Sequence, residues 1–510
     1  MSAVPEAERI PVIIGVGQVN DRPLNPTEGL DSLGLMQAAL RRAEADSGVE
    51  ILDRLDWLGV VDQISFPDLD IHGQVARGLA ARPTTVVKTR DASGDGPVRL
   101  INDAANLIAA GTIRFAAVTG GEAMRTSNKR AQDRLRSMSS PGAVAKVNRL
   151  SDAAEANASR LARSYRLFTP TDVYPLYENA TRAAWGLTAA EAQAETAAIW
   201  SDFSKIAAAN PNAWLRTPVT AEEISKVTAD NRMISYPYTK LTVANNSVNQ
   251  GAAVIITSLA AARTLGVAER KLVYVGAGAA SHEQDDFLER DSYQHSASLT
   301  ASIVQALEFN AITSDDLTHV ELYSCFPCVP KMARRVLGWP LEMPHSVYGG
   351  LTFGGGPIGN CMMHAAAAMT EKLRVGGGSG LIVANGGYAT HNHSIVLSSQ
   401  QRPEVRLPRS YDVHAVADAL RGPTPSINEH YVGPGKMETF TAPFGRDGKP
   451  TFATVIARNP AGERLLALVS PDDQRLLQAL VDGEREPVGS DGFTEKREDG
   501  LLRWRSRFVP

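Results

Sequence analysis

Apolar positions along this chain alternate between two rhythms. Val12-Ile13-Ile14-Gly15-Val16-Gly17-Gln18 is apolar almost without a break and predicts a strand buried on both faces. Leu33, Met36, Leu40 and Ala43 then fall at helical spacing and predict a helix over Ser32 to Ala45. Trp57 to Phe66 reads as a strand, Gln74 to Ala81 as a helix, and Thr84 to Val87, short and β-branched, as a buried strand. A turn at Asp91-Ala92-Ser93-Gly94 opens a helical run to Gly111, and Phe115 to Thr119 is the next strand. This alternation predicts a layered α/β half.

From Arg125 to Leu241 the rhythm changes to polar, Ala-rich helical segments: Asp152 to Arg163, Leu176 to Ala184, and Ala189 to Ala208 with an N-cap at Thr188. An insertion this long between strands is usually a cap or lid over a site. Gly251 to Ile256 closes the first half and Leu272 to Gly276 restarts the alternation. Helices over Ser298 to Phe309, Lys331 to Leu337 and Cys361 to Arg374 follow, with strands at His319 to Tyr323, Leu381 to Ala384 and Ile395 to Leu397. Pro403 and Pro408 mark a linker. Beyond it, strands at Met437 to Ala442, Phe452 to Arg458 and Arg464 to Val469, a helix capped by Ser470, and a last strand at Leu501 to Phe508 predict a small OB-like barrel. The expected units are residues 1–124 with 242–265, 125–241, 266–400 and 401–510.

Composition narrows the classes. In 510 residues, 43% hydrophobic and 21% charged residues are ordinary for a soluble globular chain. OB folds often bind nucleic acid, but a net charge of −4 with acidic and basic residues in balance argues against a polyanion partner. No apolar run approaches the ~20 residues of a membrane span. Met1 to Arg9 carries no secretory pattern, and three cysteines suit a reducing cytoplasm, so a cytoplasmic location is expected.

Several residues could carry chemistry. Asp91 is expected where a strand ends and a helix begins, a place of unpaired, partially positive N–H groups. It is either a nucleophile or base held ionised, or a structural N-cap. Cys325-Phe326-Pro327-Cys328 is a Cys-x-x-Cys with a redox reading and a core-filling reading. His391 and His393 alternate on a strand end and can face one side, which makes them candidates for an acid/base pair. Zinc would need Cys361 and His364, or these two histidines, to converge with others; no spacing demands it, and no metal is expected. Gly354 to Gly359 lacks the Lys-Ser/Thr of a phosphate-binding P-loop and reads as close backbone contact.

Ala92-Ser93-Gly94 and Gly120-Gly121-Glu122-Ala123-Met124 resemble two motifs of the thiolase superfamily, particularly the thiolase-like proteins near the sterol-carrier-protein thiolases. Asn210-Pro211-Asn212-Ala213, Pro218 to Ile224 and Ile234-Ser235-Tyr236-Pro237 resemble that family's loop-domain phrases in order. The resemblance implies an α/β, duplicated thiolase fold with an inserted helical loop domain over acyl-CoA, followed here by the antiparallel barrel. Read against the family's motifs, the nucleophilic Cys is Asp91, and His-Asp-Cys-Phe becomes Tyr323-Ser324-Cys325-Phe326. The His of Gly-His-Pro is Gly356, and the second Cys is Ala384. Gln250 stands where an acidic residue is usual. The resemblance implies substrate contacts at Ser247, Gly355, Gly386 and Gly387. Four catalytic groups are replaced while the glycines remain, which predicts loss of Claisen chemistry.

Two functions follow as expectations. One is an acyl-CoA- or acyl-thioester-binding protein or partner subunit, with CoA present only as part of the ligand and no separate cofactor. The other is an active acyltransferase or lyase with a rearranged set around Asp91, Tyr323, Cys325 and His391. Thiolases pair through the strand before the nucleophile turn, which ends here in Lys88-Thr89-Arg90. Like charges across a two-fold axis predict a weakened dimer or a monomer.

Overall fold

The computed structural model describes residues 9–138, 154 and 158–506. Residues 1–8, which entered the reading of the N-terminus, residues 507–510 at the end of the expected last strand, and residues 152, 153 and 155–157 of the expected Asp152 to Arg163 helix lie outside the described residues. Of that helix, Arg160–Ser164 is described.

One nine-stranded sheet organises the chain. Its strands are β1 (Pro11–Asn20), β2 (Trp57–Val60), β3 (Thr85–Lys88), β4 (Phe115–Ala123), β7 (Asn249–Ser258), β8 (Val273–His282), β9 (His319–Leu322), β10 (Ser379–Gly386) and β11 (His391–Ser398), while β5 (Met233–Ser235) and β6 (Tyr238–Thr239) form a separate hairpin. The order across the sheet is β3-β2-β4-β7-β1-β8-β11-β10-β9. Outward from the centre, β1 pairs antiparallel with β7, β7 antiparallel with β4, and β4 parallel with β2. On the other side, β8 pairs antiparallel with β11, β11 antiparallel with β10, and β10 parallel with β9. The same pairing sequence twice is the structural duplication, although no sequence repeat is visible. The halves join through two residue pairs only, Val12 with Tyr274 and Ile13 with Val273.

Helix α1 (Ser32–Ser47) covers one face of the first half. Gly15 and Gly17 on β1 admit it: a Cβ at either position would overlap the carbonyl of Ala43 or Ala39. Helices α2 (Gly96–Ala109) and, later in the chain, Cys361–Gly376 lie on the opposite face, against strands of both halves and against each other. Between β4 and β7 run α3 (Pro170–Ala184) and α4 (Ala189–Ala209). Thr188 and Glu191 cap α4 reciprocally, with Glu191 N–H donating to Thr188 Oγ1 (3.2 Å) and Thr188 N–H to Glu191 Oε2 (2.8 Å). No helix among the described residues is long and apolar enough to cross a membrane.

Several expected elements shift: the helix expected over Leu176 to Ala184 begins at Pro170, and the one over Gln74 to Ala81 spans Ile71–Arg77. The strand expected over Trp57 to Phe66 ends at Val60. Buried Glu122 accepts from the backbone N–H groups of Ile64 (2.6 Å) and Ser65 (3.2 Å) and holds that segment out of the sheet. Burial pushes the Glu122 carboxyl up to about 7 even against those donors. In the barrel the helix begins at Gln474, capped by Asp473, whose carboxylate accepts from Leu476 N–H (3.2 Å); Ser470 is not the cap.

The last region contains β12 (Gly433–Thr441), β13 (Ala453–Arg458), β14 (Arg464–Val469), β15 (Asp491–Lys496) and β16 (Leu502–Ser506), closed in the order β12-β13-β14-β16-β15. The parallel β14–β16 contact and the helix Gln474–Val481 between β14 and β15 give the OB-like arrangement expected from the strand pattern. The barrel is stitched to α3: Thr439 Oγ1 donates to the Leu176 carbonyl and Asn179 Nδ2 to the Phe440 carbonyl (3.0 Å). Its approach is further fixed by Arg464, whose side chain is wholly buried. That guanidinium meets Glu438 (2.8 Å) and donates to the carbonyls of Leu288 (2.7 Å) and Arg290 (2.6 Å). Arg290, equally buried, donates to Tyr177 Oη (2.7 Å) and lies 3.8 Å from Glu283.

Removing one partner of such a buried pair strands the other charge without solvent. Glu438→Ala is expected to cost about 3–5 kcal/mol in urea unfolding, with much of the loss recovered in the Glu438→Ala/Arg464→Met double variant. A single variant within ~0.5 kcal/mol of the parent would show that the cluster contributes nothing.

Candidate functional site

The turn after β3 differs from its expected form. Helix α2 begins at Gly96, with Asp95 as N-cap and Pro97 in the first turn. Pro97 fits the first turn of a helix, where its missing N–H has no intrahelical partner to lose. Asp91 therefore lies outside the helix and is neither its cap nor held at its positive end. Its carboxylate is exposed and sits 3.2 Å from Arg90 Nε. Thr89 Oγ1, which accepts from Asp62 N–H (2.9 Å), donates to the Asp91 carbonyl (2.8 Å).

The remainder of the turn lies against the far half of the sheet. A Cβ on Gly94 would overlap Tyr323 Oη and the Asn385 carbonyl, and one on Gly386 would overlap Ser93 Oγ and Asp95 Oδ1. Ser93, whose hydroxyl donates to Asp95, is thus brought against the end of β10. Tyr323 follows β9, donates its N–H to the Val383 carbonyl (3.1 Å), and is buried over Gly94. Burial first, then Cys361 and Cys325 beside it, push its phenol well above the usual range, so it stays protonated.

All three cysteines are free and buried. Burial pushes the Cys325 and Cys361 thiols up to about 12 and the Cys328 thiol well above its usual value. A thiol needs its thiolate form to attack. Cys325 and Cys328 sit in the core, with Cys328 Sγ 3.9 Å from the Tyr174 carbonyl.

Helix α3 closes the site from the insertion. Tyr174 Oη donates to Asn385 Oδ1 (3.1 Å) and the Gly387 carbonyl (3.1 Å), and its ring stacks on Phe326 at 4.6 Å. Tyr177 Oη donates to the Tyr388 carbonyl (2.7 Å), and the Tyr388 hydroxyl donates to the Phe168 carbonyl. Tyr174 and Tyr177 were not singled out from the sequence. Their only signal was two aromatics three residues apart in the insertion, a spacing that places them on one helix face.

The other positions fall as follows. Ala384 is fully buried within β10, paired with His393. Gly356 offers only backbone, its N–H donating to the Asn245 carbonyl (2.9 Å). Gly355 has φ +111° and leaves room for Gln250, whose Nε2 donates to the Gly354 carbonyl (2.9 Å) and Asn20 Oδ1 (2.8 Å). Ser247 is exposed, its N–H donating to Asn245 Oδ1 (3.2 Å). Gly387 has φ +59°.

His391 and His393 do not form the acid/base pair expected of them. The pleat puts them on one side of β11, but their surroundings differ. His393 is buried, its Nε2 3.1 Å from Asn102 Nδ2, and burial pushes its imidazole down to about 3, which keeps it neutral. His391, paired in register with Gly386, is part-exposed, with Nδ1 3.1 Å from Thr390 Oγ1 and Nε2 3.5 Å from Asp285. Among the described residues no group of three or more His, Cys, Asp and Glu is placed to hold a metal ion. The groups that do meet at the turn are a hydroxyl (Ser93), a carboxylate (Asp95), a phenol (Tyr323) and the backbone carbonyl of Asn385. These groups can hydrogen-bond a polar ligand group.

In a thiol-labelling assay at pH 7.5, the native chain is expected to react at none of its three cysteines over minutes and at all three once unfolded. A stoichiometric fast thiol in the native protein would contradict the assigned burial and protonation.

Comparisons with known proteins bear on the family and the fold. The family model described as the thiolase-like protein type 1 additional C-terminal domain matches residues 415–499. A comparison with curated protein sequences returns no match. Among solved structures, the crystal structure of a monomeric SCP2-thiolase-like protein type 1 from Mycobacterium smegmatis superposes with a TM-score of 0.81 at 30% identity, covering 98% of this chain and 99% of that one. Human mitochondrial 3-ketoacyl-CoA thiolase in complex with CoA gives 0.59 at 13% identity, over 77% of this chain and 99% of its own. An Ltp2-ChsH2(DUF35) aldolase gives 0.58 at 18% identity, over 78% and 100%. The last two share the fold alone. With its barrel matched by the family's own model and nearly its whole length aligned to the mycobacterial protein, the chain belongs to the SCP2-thiolase-like protein type 1 family.

Proposed function

We propose that the protein binds acyl-CoA or a related acyl thioester and performs neither thiolysis nor Claisen condensation. The observation that carries this reading is the state of the turn. At the position the family resemblance gives to the nucleophile, an exposed carboxylate is paired with Arg90, and the nearby thiols are buried and protonated. An anion at that place opposes the oxyanion a thiolase must stabilise. Ala384 and Gly356, at the other two positions, have no group that transfers a proton. Support for a retained ligand comes from the shared fold, since one protein of that fold is a thiolase in complex with CoA, and from the glycines kept at 355, 386 and 387. CoA enters only as part of the ligand, and the reading requires no separate cofactor.

A lyase or acyltransferase built from Asp91, Tyr323, Cys325 and His391 is the weaker reading, although an aldolase shares the fold. Tyr323 and Cys325 hold their protons too tightly to exchange them at neutral pH.

In a discontinuous assay, acetoacetyl-CoA thiolysis is expected at background for the parent and also for Asp91→Cys, because one restored thiol still lacks its His and second Cys. Calorimetry with CoA and acyl-CoAs is expected to show saturable binding in the ~10 μM to 1 mM range. Turnover above background in the parent refutes the catalytic half, and absence of heat with every thioester refutes the binding half.

We also propose that the chain is monomeric, but not through the like-charge repulsion expected from Lys88 and Arg90. Lys88 Nζ lies 2.5 Å from Asp62 and Arg90 beside Asp91, so both charges are matched within the chain. What supports a monomer is the edge itself: β3 is only four residues long, and the mycobacterial relative is described as monomeric. Light scattering is expected to give the mass of one chain at 50 μM, and a dimer persisting below 1 μM would overturn this.

A further inference from the structure

One cavity with a mixed lining lies away from the turn. It has a volume of about 390 Å³, within the ~300–1,000 Å³ range typical of ligand sites. It lies under the segment that follows β11, between the start of β1, the end of α2 and the start of β8. Val275, Val396 and Leu407 give it apolar walls, and Arg9, Arg402 and Arg406 give it cationic ones. Among the described residues that line it, none is a carboxylate.

Arg402 is the informative group. Its Nη1 donates to Ser379 Oγ (2.9 Å), while its Nε is buried with no hydrogen-bond partner. Leaving a buried charged donor unmatched costs more than leaving a neutral one. Asp316 and Glu404 line the adjoining cleft on the other side of Arg402. An apolar body with an anionic head satisfies both surfaces at once: hydrocarbon against the valines, and oxygens in reach of guanidinium donors.

We infer that this cavity binds a small amphipathic anion, an apolar chain ending in a carboxylate or a phosphate monoester, separately from the thiolase-type turn. The two sites sit at opposite ends of β11. The turn side is at His391 and the cavity side at Val396 and Ser398, roughly 20 Å apart along seven residues of strand. The segment roofing the cavity, residues 401–407, leads directly towards the barrel, so occupancy would order the connection between sheet and barrel.

Calorimetry on the full chain with octanoate, octyl phosphate and octanol tests this, alongside amide hydrogen exchange. The expected result is a Kd below ~1 mM for at least one anion and binding of octanol at least about tenfold weaker. The tighter of the two anions identifies the head group. Arg402→Gln is expected to weaken anion binding at least about tenfold, and the exposed Arg406→Gln to weaken it in the same direction. The second variant carries the test if the first does not fold. Exchange protection is expected in residues 401–407 and not in 89–95, and CoA affinity should be unchanged in both variants, which separates this site from the proposed thioester site. Equal binding of octanol, no binding of either anion, undiminished binding in both variants, or protection confined to the turn would each overturn the inference.

Discussion

Backbone contact between the two halves of the sheet at Gly94 and Gly386 is the constraint on which the site rests. β1 and β8 are paired over only two residues, so the halves are held together mainly by what crosses them. The central helices do this along their length, and the turn at 93–95 does it at the end of β10. Neither contact tolerates a side chain: a methyl group on either glycine would occupy the space of Tyr323, Ser93 or Asp95. The same closeness that joins the halves brings the Ser93 hydroxyl, the Asp95 carboxylate and the Tyr323 phenol together beside the turn, with Ser93 donating to Asp95.

Burial decides the chemistry around that contact. A cysteine beside a cationic group or at a helix start is acidified; one surrounded by Tyr174, Tyr323 and hydrocarbon is not. His393 is neutral for the same reason, and Glu321 is driven up to about 7 although its Oε2 accepts from Ser346 Oγ and from the N–H groups of Val347 and Tyr348. The charges that remain buried are paired, as in Lys331 with Glu178 (2.6 Å) beside Cys328 and in the Arg290, Arg464, Glu438 and Glu283 cluster that binds the barrel.

The alternation of strand and helix, the inserted helical segment and the barrel were all legible in the sequence, because each rests on periodicity and turn chemistry that local residues supply. The errors arose where distant groups act. Asp91 looked like a helix cap because the strand before it and the helix after it are plain, but Pro97 and the glycines move the helix start to Gly96. Trp57 to Phe66 looked continuous until Glu122, more than fifty residues on, withdrew its second half. His391 and His393 share a face by the pleat, and no pattern in the chain says that only one of them meets Asn102. Tyr174 and Tyr177 were illegible because their partners, the 385–388 segment, lie in the other half of the fold.

Helix α3 is gripped on two sides. Tyr174 and Tyr177 fasten it to the loop after β10, while Leu176 and Asn179 fasten it to β12 of the barrel. A flap that opens by hinging needs one free flank, and this one has none. The appended barrel thus serves as a counterweight to the insertion: the two can be displaced only in concert.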